Sequence, residues 1–145
     1  MAARDNMNDL HFVVGLAPLA AAEAGATTLK TVAIDTQGYE SLTFVIITGT
    51  IVDADATWTA TLKDGATSTQ TAHTQVGADF IIGSEALAGL TFANDSVCRK
   101  IGYKGGKRWA SLELANVVAN TGAIPIAIIA VLGDPKVRPT ANPPA

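Results

Sequence analysis

The chain has 145 residues, 48% of them hydrophobic and only 16% charged, and a formal net charge of −3. That length suits one domain with a core of its own. The small negative charge excludes a general attraction to nucleic acid or to an anionic membrane. Soluble monomers carry about a quarter charged residues, so part of this surface is expected to be covered by a partner or by further copies of the chain.

Met1 to Asp9 is polar and reads as a flexible arm. It lacks the apolar stretch of a secretory signal, so a soluble chain made in the cytosol is expected. Leu10 to Leu16 is a first strand. Ala17 to Thr28 is rich in alanine, but Pro18, Gly25 and the threonines limit any helix to a turn or two. Thr31 to Ile34 resumes strand character, and Asp35 to Gly38 is a turn. Ser41 to Thr48 is almost continuously apolar and β-branched, which predicts a central strand covered on both faces. Thr57 to Lys63 alternates strictly, with Trp58, Ala60 and Leu62 directed inward and Thr57, Thr59, Thr61 and Lys63 outward. Asp64-Gly65 ends that strand.

Ala66 to Ala78 is polar and aperiodic, an exposed loop or an irregular edge strand. Phe80 to Ile82 is a short strand, Gly83 to Gly89 a connection, and Asn94-Asp95-Ser96 a turn. Val97 to Tyr103 and Arg108 to Leu114 are two alternating runs around Lys-Gly-Gly-Lys. They predict a β-hairpin in which glycine supplies positive φ. Asn120-Thr121-Gly122 is the next turn. Ile124 to Leu132 is a last strand, again read as buried on both faces; it is far short of the ~20 residues that span a bilayer and is interrupted by Pro125. The tail from Asp134 is Pro-rich and extended. The organisation is therefore an N-terminal arm (1–9), a β-sandwich domain (10–133) and a C-terminal arm (134–145). The class is all-β and antiparallel, a sandwich or barrel without a long helix.

Few residue patterns suit catalysis. Cys98 cannot form an internal disulfide and, in an alternating run, reads as a small core residue. His11 and His73 have no ligand spaced for a metal. Asp53-Ala54-Asp55 lacks the glycine and distal glutamate of a calcium loop and reads as a solvated turn. Glu40, Glu85 and Glu113 are not paired by any pattern, and Glu113 alternates outward between Leu112 and Leu114. No nucleophile elbow, phosphate loop or dinucleotide fingerprint occurs. No enzyme, cofactor or metal site is expected. The local charge anomaly is basic: Arg99, Lys100, Lys104, Lys107 and Arg108 gather around one turn. It reads as a solvated tip, as a contact patch for an acidic protein surface or, last, as a nucleic-acid contact, which would want interleaved exposed aromatics. Tyr103 and Trp109 beside it serve equally as core or interface anchors.

Three segments in order, IDTQGYESLTFVIITGT, RKIGYKGGKRWASLEL and NTGAIPIAIIAVLGDPKVRP, resemble the capsid cement, or decoration, proteins of tailed bacteriophages over about residues 33 to 139. The resemblance implies a jelly-roll-like sandwich on the outside of the phage head, made in the host cytoplasm. It implies the major capsid protein as partner and a homodimer or homotrimer, with no membrane and no direct nucleic-acid contact. On this reading the contact residues are Arg99, Lys100, Lys104, Lys107 and Arg108 of the turn and Lys136, Arg138 and Pro139 of the C-terminal arm. The alternatives are a head–tail connector or tail component, and a carbohydrate-binding sandwich on the virion surface. Arms of this kind would order on a neighbour's surface.

Overall fold

Alternating side chains need two surfaces, one to bury and one to show, and the chain resolves this with two antiparallel sheets face to face. The computed structural model describes residues 5–18, 28–117 and 124–141. The first sheet has the order β1 (His11–Leu16), β11 (Ile126–Pro135), β4 (Tyr39–Thr48), β9 (Cys98–Tyr103) and the short β7 (Ile81–Ile82). The second has the order β2 (Thr28–Lys30), β10 (Trp109–Asn116), β5 (Thr57–Gly65) and β6 (Thr74–Gln75). In it β3 (Ile34–Asp35) also pairs with β10, and β8 (Leu90–Thr91) with β5. Apart from β2–β3 and β5–β6, every connection crosses from one sheet to the other. That winding is a jelly roll. One helical turn, α1 (Glu85–Ala88), is capped by the Ser84 hydroxyl, which accepts the Leu87 N–H. Among the described residues no helix is long and apolar enough to cross a membrane.

The core lies between the sheets. Phe44, Ile46, Ile101, Ile126 and Ile128 from the first meet Trp58, Leu62, Leu112 and Leu114 from the second. The alternation read in Thr57 to Lys63 holds, and so does the outward Glu113, which bonds Lys63 at 2.7 Å.

The Lys-Gly-Gly-Lys turn joins strands of different sheets, because β9 pairs with β4 and β10 with β5. Each run contributes its apolar side to the opposite wall of one core, so the turn is an arch, not a hairpin. Its glycine answers a steric need: a Cβ on Gly105 would collide with the Tyr103 ring. β4 and β11 are central strands, yet only one face of each is buried. The strand expected at Thr31 to Ile34 is displaced to β2 and β3: the Thr31 N–H donates to the Leu112 carbonyl at 3.0 Å, but its hydroxyl, in place of its carbonyl, accepts the Leu112 N–H. The connection at Gly83 to Gly89 contains α1. Cys98 is exposed rather than core. His73 is buried over Gly65, bonded to Ser111 Oγ at 2.8 Å and to the Thr67 carbonyl at 2.9 Å, and so pins the 66–75 loop onto the sheet. Asp53, read as part of a solvated turn, is only 3% exposed. The Asn120 turn lies outside the described residues.

The described parts of the two arms lie against each other. Arg138 pairs with Asp9 at 3.2 Å. The Thr140 hydroxyl donates to the Leu10 carbonyl at 2.7 Å, and the Thr140 N–H to the Asn8 carbonyl at 3.0 Å.

Candidate docking face and the clefts beside it

Strand register sets the composition of the first sheet's outer surface. One row runs Phe12, Val131, Thr43, Gly102, Ile82. The next runs Val14, Ile129, Val45, Lys100, and a third Ala127, Ile47, Cys98. Phe12, Val14, Ile47 and Ile82 are among the exposed large hydrophobic residues, and Lys100 is the one charge in these rows. Toward β7 the surface dips into a groove of about 600 Å³ lined by Thr43, Ile82, Leu87, Cys98 and Lys100. Contact sites are commonly built from contiguous apolar surface, whereas scattered exposed hydrophobic residues need no such explanation.

The second sheet's outer surface is its opposite in character. Thr57, Thr59 and Thr61 line β5, and Glu113 sits between Lys63 at 2.7 Å and Lys30 at 3.5 Å. Burial works against ionisation of Glu113, but the two lysines outweigh it and hold its carboxyl below the ordinary range.

The basic residues expected to form one patch are largely matched to acids. Lys107 pairs with Asp64 at 2.8 Å. Arg108 grips Asp35 with two bonds, 2.9 and 2.6 Å, and its guanidinium lies 5.3 Å from the Trp109 ring centre. The hydrogen bond from Arg108 holds the Asp35 carboxyl below its usual range. Lys136 faces Glu40 at 3.5 Å, Arg138 faces Asp9, and Pro139 is exposed beside them. Lys104 is exposed at the arch. Arg99 and Lys100 leave β9 in opposite directions: Lys100 reaches the outer apolar face, while Arg99 runs beneath α1 and donates to the Leu87 carbonyl at 2.9 Å. The sequence reading thus found Lys100 but missed the surface around it. The only available signal was that β4 and β11 are apolar at both parities.

Titratable groups elsewhere form no catalytic constellation among the described residues. The Asp55 carboxyl is pushed up by its hydrogen bond to Asp53 and by that neighbour's charge. No group of three or more potential metal ligands occurs among the described residues.

No family model and no curated protein matches the chain. Among solved structures it is similar to the PBSX exported protein XepA, with a TM-score of 0.52 and 12% identity over 94% of this chain and 41% of that one. It therefore spans about two fifths of XepA's length. It is also similar to the SPBc2 prophage-derived protein YomS (TM-score 0.44, 13% identity, 85% of this chain and 93% of that one). A third is the CBM36-1 domain of a multidomain xylanase from the hindgut metagenome of Trinervitermes trinervoides (TM-score 0.48, 8% identity, 87% and 98%). The likeness to XepA is one of fold, the antiparallel β-sandwich, and the structural neighbours of the chain include phage-derived proteins.

Proposed function

We propose that this chain is a structural protein of a tailed-phage particle, a decoration protein that docks on the major capsid protein at the outside of the head and stabilises the shell. The observation that carries this reading is the outer face of the β1-β11-β4-β9-β7 sheet, largely apolar in the three rows from Phe12 to Ile82, Val14 to Lys100 and Ala127 to Cys98, with Lys100 their one charge. Such a face suits a partner surface that is apolar and bears an acidic side chain opposite Lys100. The second sheet, with its threonines and the Lys30–Glu113–Lys63 cluster, then faces water. The decoration-protein resemblance of the three segments points the same way, and the likeness in fold to the phage-derived XepA supports the phage origin alone. The mechanism is linkage: a protein that binds only the assembled shell stabilises that state, and many weak copies add up. On this reading the contacts lie on the sheet face, which includes Lys100, and not on the arch and the arms.

The test adds purified protein to heads that lack it and measures binding and the heat resistance of the shells. Val45→Lys and Ile129→Lys place charge on the outer face without touching the core. Both variants are expected to fold and to lose shell binding. Binding equal to the unmodified chain would overturn the docking face. A copy number per particle matching a single ring, instead of one comparable to the major capsid protein, would overturn decoration in favour of a connector.

A further inference from the structure

A second site lies on the other side of α1 from the sheet face. A cleft of about 580 Å³ opens between β5, α1, β8 and the turn at Asn94, and Arg99 lines it. Arg99 is unusual among the cations here. Its Nη1 bonds the Leu87 carbonyl, its Nε is buried without a partner, and it joins none of the ion pairs among the described residues. A guanidinium drawn partly out of water and left unneutralised is unfavourable until an anion meets it, and its fork suits a carboxylate.

The rest of the lining selects among anions. Thr57, Thr59, Thr61, Thr91 and Asn94 border the cleft; the hydroxyls of Thr57, Thr59 and Thr91 donate to the Asp55 carbonyl, the Ala115 carbonyl and Asn94 Oδ1, and their lone pairs accept from ligand hydroxyls. Glu85 also borders it. The Glu85 carboxylate is fixed in place by the Leu62 N–H at 2.8 Å and the Gln75 side chain at 3.0 Å. A fixed carboxylate repels a phosphate dianion more than a monoanion, and its remaining lone pairs accept hydroxyl donors. The volume suits one or two sugar rings. We propose that this cleft binds a hydroxylated carboxylate of the hexuronate class, with the carboxylate on Arg99 and the hydroxyls on the β5 threonines and Glu85. The same chemistry is presented by a free sugar acid and by a residue within an acidic polysaccharide.

The experiment titrates the full chain with glucuronate, glucose, inorganic phosphate and a short uronic-acid oligosaccharide, following backbone amide resonances. Glucuronate is expected to shift the amides of Thr59, Thr61, Ala86 and Arg99. Glucose should bind about tenfold more weakly or worse, and Arg99→Gln should weaken glucuronate about tenfold to a hundredfold, as loss of a charge-assisted bond requires. Tighter binding of the oligosaccharide would support the polysaccharide source, and equal binding the free acid. Absence of shifts at tens of millimolar glucuronate would overturn the proposal, as would phosphate binding as well as glucuronate or Arg99→Gln leaving affinity unchanged. Should Arg99→Gln fail to fold, Thr59→Val provides the second test. It keeps the strand and removes an exposed hydroxyl, and affinity is expected to fall about threefold; unchanged affinity would overturn the site.

Discussion

Tyr103 ties the β9–β10 arch to the core. Its hydroxyl donates to Asp64 Oδ2 at 2.9 Å and accepts the Lys107 N–H at 3.1 Å. Burial, reinforced by Asp64, pushes its pKa up to about 12. An unfolded phenol loses its proton near pH 10, so above that pH the native state binds more protons than the unfolded state. This contribution is intact below pH 10 and falls away as pH rises towards about 12. Urea midpoints should therefore drop across that window more steeply than in Tyr103→Phe. At neutral pH Tyr103→Phe should itself be less stable by about 1–3 kcal/mol, because the Lys107 N–H loses its acceptor. A parallel pH profile for the two proteins would contradict this. Gly105→Ala should be destabilised by about 1–3 kcal/mol, since its Cβ would force the ring off Asp64. The glycine pair was visible in the sequence as a turn, but its reason was not, because nothing local says that a tyrosine side chain folds back across it.

β4 is the element on which the core and the outer apolar face share one strand. Ile46 is fully buried and its neighbour Ile47 is 41% exposed. Ile46→Ala is expected to cost about 2–5 kcal/mol and Ile47→Ala less than about 1 kcal/mol, both measured by urea unfolding. Equal losses would mean that the outer face is covered within the chain itself. Hydropathy could not separate these two residues. Period-two alternation shows only when the outward positions are polar, as in Thr57 to Lys63, and in β4 and β11 both parities are apolar. The clasp between the ends was equally hidden. Thr140 is a polar residue in a Pro-rich tail, yet it is buried against Leu10. Removing residues 136 to 145 should cost about 1–2 kcal/mol through the lost Arg138 and Thr140 contacts. Amide exchange at residues 5 to 10 should rise with it.

At the scale of the molecule, the fold class and the shortage of charge were legible in the sequence, since they follow from turn residues, strand patterning and composition. Where the shortage is concentrated was not, because that depends on which strands become neighbours. The result is a two-sided body, with one sheet surface apolar and the other threonine-rich and ion-paired. If the apolar side meets the shell, the association should bury nonpolar surface, with a negative heat-capacity change and only slight weakening by added salt. Calorimetry on heads at low and high ionic strength checks this; a steep salt dependence would assign the contact to Lys104, Lys107 and Arg108 instead. Lys100→Glu should weaken binding more than Lys104→Glu.

Cys98, the single thiol, opens onto the apolar side at the row shared with Ile47. It thereby supplies a natural reporter. Alkylating reagents should modify it readily when the protein is free in solution and be turned away once that surface is occluded on a particle, so one mass shift of the intact chain registers which way the molecule sits.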